Sequence, residues 1–234
     1  MKILQITLLF LLLYCAARAQ DSIYHKLHVR SFMAPTLGIA AGASLTFQPS
    51  LRRINEEVRN SVQKWRNEGF LRGTAIRADD VMQYTPFAAM YFFKLCGMKG
   101  KHDYAAMTYR ATVCYSLVLF GTSVAKSWSQ VSRPDNVFSL NSFFSGHTST
   151  AFASAEMLRL EYGQTSPWIG IGAYGVSTVT GLLRIYNNRH WFGDVLAGAG
   201  MGILCAQLSY WFCDMLQYRD EHGEQISPYH GFRL

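Results

Sequence analysis

Charge is scarce in this chain. Only 16% of its 234 residues are Asp, Glu, Lys or Arg, while half are hydrophobic. Ordinary soluble domains carry roughly a quarter charged residues, so the balance leans towards membrane association. Acidic residues are the scarcer sign, 15 against 22 basic, for a net charge of +7. No Asp/Glu cluster stands out to hold a hard cation. The five cysteines form no CxxC pair, which argues against metal ligation. They read as buried thiols, with no disulfide specified. Internal repeats and low-complexity tracts are absent. The basic excess suits anionic partners. Much of it lies between Arg52 and Arg77, not interleaved with exposed aromatics, which argues against nucleic acid.

What is present divides the chain into four regions. Residues 1–19 read as an export signal: Lys2 is the positive start, Ile3 to Ala17 is apolar, and Ala17-Arg18-Ala19 fits a cleavage site before Gln20. The run is short for a membrane span, and an uncleaved anchor is the alternative. Residues 20–80 form an N-terminal region with an amphipathic helix. Leu51, Ile54, Val58, Val62 and Trp65 recur every three or four residues, with Ser50 as the expected cap and Gly69 as the stop. That helix suits either an anionic bilayer surface or the protein's own body. Residues 81–215 form a helical domain with apolar segments at Met82–Met98, Ala111–Ala125, Thr165–Leu183 and Val195–Cys213. Residues 216–234 are a polar tail.

Three clusters punctuate the helical domain. Lys126 is followed after six residues by Arg133-Pro134. Ser145-Gly146-His147 comes next. Arg184 is then followed after five residues by His190, and after three more by Asp194. Lys126 and Arg184 follow apolar segments; His147, His190 and Asp194 open the next helices. In an up-and-down bundle these ends meet, so all three clusters are expected at one end.

Their chemistry suits a phosphate. Arg133 and Arg184 each offer a fork of donors, and Lys126 adds a point charge. Ser145 and Gly146 precede a helix, where amides and the helix dipole bind anions. His190 is the candidate nucleophile, with Asp194 one helical turn on to orient it. His147 is left to protonate the departing alkoxide and then activate water.

The three clusters, as KSWSQVSRP, FSGH and LRIYNNRHWFGD, resemble the signature of the type 2 phosphatidic acid phosphatase and vanadium haloperoxidase superfamily. The resemblance covers roughly Val81 to Cys213. It implies an all-α helical bundle, membrane-embedded in its lipid phosphatases, and no cofactor or required metal. It assigns phosphate binding to Lys126, Arg133, Ser145, Gly146 and Arg184, and catalysis to His147, His190 and Asp194. Phe144 stands where the family has proline, which is expected to shift or loosen that loop. Leu183 stands where it has serine.

The implied function is hydrolysis of a phosphate monoester or diphosphate on an anionic membrane lipid, through a phosphohistidine. Phosphatidic acid, phosphatidylglycerol phosphate, isoprenyl phosphates and lipid A-type phosphates are the substrates in view. The membrane is the expected partner, and no oligomeric state follows from the sequence. With the signal cleaved, Met82–Met98 would run inward and the next segment return. That places the site on the periplasmic face of a bacterial inner membrane. A soluble exported acid phosphatase is the second reading, because Glu156 and Arg159 lie mid-helix. An inactive lipid-binding protein is a third, and vanadate-dependent halide oxidation a fourth.

Overall fold

The structure is a computed structural model that describes residues 29–69 and 74–220. The proposed signal and most of the polar tail lie outside the described residues. Residues Arg30–Tyr210 form one compact unit, and Val29 with the stretch from Trp211 belongs to a second. The first unit carries the clusters.

Every regular element among the described residues is helical. In chain order they are α1 (Val29–Phe47), α2 (Pro49–Glu68), α3 (Asp79–Met82), α4 (Thr85–Leu95), α5 (Tyr104–Ser129), α6 (Gly146–Tyr162), α7 (Pro167–Tyr186) and α8 (Phe192–Asp220). The boundaries follow local chemistry. Proline disfavours the helical conformation in the residue before it and is preorganised for a first turn. Gln48 is accordingly extended and Pro49 opens α2. This corrects the expected cap at Ser50, which lies inside the helix; Gly69 ends it as expected. Asp103 caps α5 by accepting from the Ala106 amide at 2.8 Å. Ser145 caps α6.

α2 docks through its polar stripe. Asn55 donates to the Leu45 carbonyl at 3.0 Å and accepts from the Gly193 amide at 2.8 Å. Arg59 donates to Asn188 and to the Pro134 carbonyl, and Gln63 donates to the Ile185 and Tyr186 carbonyls. The neighbouring apolar stripe turns partly outward, with Ile54 40% and Trp65 68% exposed. The protein thus takes the polar stripe and part of the apolar one: Leu51, Val58 and Val62 are partly buried, and Trp65 packs edge-on against Tyr186 with ring centroids 5.6 Å apart.

The apolar segment Met82–Met98 is not one helix. Gln83 and Tyr84 separate α3 from α4, and α4 has only 11 residues, about 17 Å. That is too short to cross a hydrocarbon core of about 30 Å. The inward crossing assigned to it is not formed. α5 and α7 have 26 and 20 residues, but Ser, Thr and Gly dilute their apolar content. Among the described residues, only Phe192–Leu216 is both long and apolar enough to cross a membrane.

The core packs Met90, Met107, Cys114, Met157 and Tyr162 against buried alanines. Glu156 is buried within it. Arg159 donates to it at 2.6 and 2.7 Å, Tyr174 at 2.7 Å and Gln207 at 3.0 Å. A buried carboxylate held by four donors is satisfied. Glu156 therefore does not present a bare charge to lipid.

α8 lies against α1 on one side and α6 on the other with almost no side chain between. A Cβ on Gly42 would sit 2.5 Å from the Gly193 carbonyl oxygen and 2.5 Å from the Ala197 nitrogen. One on Gly202 would sit 2.2 Å from the Ser149 carbonyl oxygen, and one on Gly198 2.7 Å from that of Ser145. Only glycine permits such approach. The last contact ties α8 to the turn that opens α6.

Candidate active site

The clusters meet where the bundle topology places them. Lys126 lies in the last turn of α5, and Arg133 in the loop that follows. Ser145 to His147 open α6, Arg184 lies in the last turn of α7, and Asp194 in the first turn of α8. A Cβ on Gly146 would lie 4.0 Å from the Lys126 ammonium, which therefore overhangs the start of α6. Burial pushes the Lys126 ammonium below its usual range; Arg133 and Arg184 add to this and Asp194 opposes it. Three cations and one carboxylate thus feel one another across four elements. Asn141 holds Arg133 in place by accepting from its Nε at 2.8 Å.

His190 is buried in the turn before α8, not in the helix itself. Its Nδ1 lies 3.4 Å from Asp194 Oδ2. The same oxygen accepts from Ser142 Oγ at 2.5 Å and from the Trp191 amide at 3.0 Å. Asp194 is the third residue of its helix, reaching back to the amide of the preceding turn as in a capping box. The helix start therefore fixes the carboxylate that faces the imidazole. With the proton assigned to Nδ1, His190 Nε2 keeps its lone pair. Burial pushes the His190 imidazole below its usual range, and Arg184 and Arg133 add to this against the opposing Asp194. A neutral imidazole is the form that can attack phosphorus.

Ser145 does less for an anion than its position promises. Its amide donates to the Asp194 carbonyl at 3.1 Å. Its hydroxyl accepts from Thr148 Oγ1 at 2.9 Å. It ties the starts of α6 and α8 together, and the amides left to face a phosphate begin at Gly146 and His147, where a first helical turn has no internal acceptors. Nor does Phe144 loosen the loop. It is buried with Phe143 and Ala197 in a small core of its own, with the Phe143 and Phe144 rings 5.7 Å apart.

Besides Ser142, two acidic residues outside the three clusters enter the site. Asp79 accepts from Arg184 Nη1 at 2.5 Å, and Asp80 accepts from His147 Nε2 at 2.9 Å. Asn187 holds this segment, accepting from the Ile76 amide at 3.0 Å and donating to the Ile76 carbonyl at 2.7 Å. The sequence showed no acidic cluster for a cation, yet folding brings ligand atoms of Asp79, Asp80 and His147 within 4.8 Å of one another. The Arg184 guanidinium already supplies positive charge there, 3.8 Å from Asp80. Adjacent carboxylates in an acid-poor chain, just before an apolar segment, were the available signal. Ser142 offered none.

Beside His147 and Arg184 opens a cavity of about 360 Å³. Arg66, Arg77, Arg189, Asp80 and Asp135 are among its lining residues. Its walls are charged, and it adjoins the histidine assigned to the leaving group.

The chain resembles known proteins in sequence and in fold. Residues 105–218 match the PAP2 superfamily. A lipid A 1-phosphatase of Porphyromonas gingivalis is 34% identical over 202 residues, which are 86% of this chain and 43% of that protein. The chain thus spans less than half the length of the curated relative it matches. In fold it is similar to the transmembrane PAP2-type phosphatidylglycerolphosphate phosphatase of Bacillus subtilis, with a TM-score of 0.54 and 18% identity over 80% of this chain and 97% of that one. It is also similar to LpxE of Aquifex aeolicus, with a TM-score of 0.51 and 21% identity over 67% and 94%. The matched residues run from the start of α5 into α8 and hold all eight signature positions, and over them the chain is similar to the PAP2 superfamily.

Proposed function

We propose that this protein is a membrane lipid phosphatase that cleaves a phosphate monoester or diphosphate through a phosphohistidine. One observation carries the reading: a buried histidine held by a carboxylate and a second, half-buried histidine both feel the charge of Arg184, which clusters with Lys126 and Arg133 at one end of the bundle. Lys126, Arg133 and Arg184 bind the phosphoryl oxygens and stabilise charge spread over them in the transition state. His190 Nε2 attacks phosphorus as His147 protonates the leaving oxygen. Water, activated by His147, then releases phosphate from His190. The residues supply the positive charge themselves, so the reaction as drawn needs no metal.

The charged cavity beside His147 suits a hydrophilic alcohol as the leaving group. The relative named a lipid A 1-phosphatase supports a glycolipid phosphate as the first substrate to test. The family likeness, the apolar helix Phe192–Leu216 and the exposed part of the apolar stripe of α2 support a membrane setting. The signal-like N-terminus supports a site on the periplasmic face.

The test is acid-quench trapping with a ³²P-labelled lipid A 1-phosphate in detergent micelles. Wild type should retain label on the protein, and His190→Ala should retain none and lose turnover. Near-normal turnover in His190→Ala overturns the nucleophile assignment.

A further inference from the structure

We propose that Asp80 is a positioning residue for the general acid: by accepting from His147 Nε2 it fixes the ring and leaves Nδ1 to exchange the proton with the leaving oxygen. This rests on the phosphatase reading above. It gives the site a second histidine–carboxylate pair, built from the opposite ring nitrogen to the first.

The geometry is specific. Asp79 and Asp80 are adjacent but divided in task. Asp79 is fully buried, turned onto Arg184 Nη1, with Asn187 Nδ2 at 3.3 Å from its other oxygen. Asp80 is half-exposed and turned onto His147 at 2.9 Å. The Asn187 clamp on Ile76 and the single turn of α3 set where both carboxylates point. Gln83 closes that turn by donating to the Asp80 carbonyl at 2.9 Å. His147 comes from α6, 67 residues further along the chain.

The charge around His147 makes this contact consequential. Arg184 faces it from α7, Asp79 and Asp80 from α3, and Lys126 overhangs the same turn from α5. Arg66 from α2, Arg77 before α3, Asp135 from the Arg133 loop and Arg189 from the turn before α8 line the adjoining cavity. Burial pushes the His147 imidazole below its usual range and Arg184 adds to this, while the Asp80 hydrogen bond and charge oppose it. Without Asp80 the ring loses its proton at lower pH, and an acid must hold its proton to give it away.

The step balances. As His190 Nε2 bonds to phosphorus, the bond from phosphorus to the leaving oxygen breaks and its electron pair goes to that oxygen. The oxygen takes the proton from His147 Nδ1, leaving a neutral ring with Nε2–H on Asp80. In the second step water attacks phosphorus, gives a proton to Nδ1, and the phosphorus–nitrogen bond breaks.

The test compares Asp80→Asn and Asp80→Glu with wild type in micelles on two substrates. Short-chain phosphatidic acid has an alkoxide leaving group that needs a proton. p-Nitrophenyl phosphate has a leaving group that does not. Asp80→Asn should lose about 10- to 100-fold in kcat/KM on phosphatidic acid and much less on the aryl ester. The basic limb of its pH profile should move to lower pH, with partial recovery in Asp80→Glu. Equal losses on both substrates with an unmoved limb would make Asp80 merely structural. Unchanged kinetics on both would remove it from the mechanism. A wild type inactive on both substrates and on the labelled glycolipid would overturn the phosphatase reading instead.

Discussion

Replacing Asp194 by Asn removes one charge and almost no volume, and its effects on turnover and on product binding should run in opposite directions. Asp194 Oδ2 serves three groups: His190 Nδ1 at 3.4 Å, Ser142 Oγ, and the Trp191 amide at 3.0 Å. An amide oxygen can keep the last two, so the start of α8 stays capped. What is lost is the negative charge beside an imidazole that becomes positive on phosphorylation. General acid–base partners of this kind contribute roughly 10²- to 10⁴-fold, or about 3–5 kcal/mol of barrier. The new amide nitrogen falls where Asp194 Oδ1 already lacks a partner among the described residues. An unpaired buried donor costs about 1–3 kcal/mol, part of which the unpaired oxygen already cost. Lys126 and Arg133, which Asp194 opposes in charge, become a stronger cradle for inorganic phosphate. Steady-state kinetics with phosphate as competitive inhibitor would therefore show kcat reduced and the phosphate Ki lowered together. Partial unfolding cannot imitate this, because it reduces the active fraction without tightening phosphate. A kcat within threefold of wild type, or a weakened phosphate affinity, would refute the reasoning.

Three other outcomes are expected. Gly202→Ala should lower the thermal midpoint by the equivalent of about 1–3 kcal/mol, because its Cβ meets the Ser149 backbone at 2.2 Å. Gly172→Ala, with nothing within 4 Å, should not, and equal effects would contradict the tight seam. Orthovanadate should inhibit and EDTA should not, since Arg184 stands between the carboxylates of Asp79 and Asp80; activity lost in EDTA and restored by a divalent metal would assign that cluster to a cation. A cysteine placed at Asn136 in a cysteine-free variant should react with a membrane-impermeant reagent applied from the periplasmic side, and labelling only after membrane rupture would reverse the topology.

The sequence showed most clearly where charge interrupts apolar helices. Lys126, His147, Arg184, His190 and Asp194 are readable because each lies at a helix end, and alternating direction brings those ends together. Asp79 and Asp80 offered only their adjacency as a signal, and nothing that pointed to their partners. Their partners Arg184 and His147 lie 105 and 67 residues away, and no period or spacing rule links them. Ser142 was hidden for the same reason. The orientation of α2 escaped because a periodic apolar stripe says which residues share a face, but not that Asn55, Arg59 and Gln63 would find backbone partners beside it. The break between α3 and α4 was missed because apolar composition continues across Gln83 and Tyr84 while the backbone does not.

The seam along α8 has a consequence for the surroundings in which the protein can hold its shape. Most protein interfaces persist because water is expelled from them, and they weaken when the medium is itself oily. Here main chain lies on main chain at Gly42, Gly198 and Gly202, and the attraction is dispersion with weak Cα–H···O contacts. Those forces are nearly indifferent to the medium. The turn at Ser145, fixed through Gly198, should therefore keep its shape in thick or thin bilayers and in detergent alike. Differences in rate between such environments would then report how the lipid reaches the pocket, with the catalytic atoms themselves unmoved.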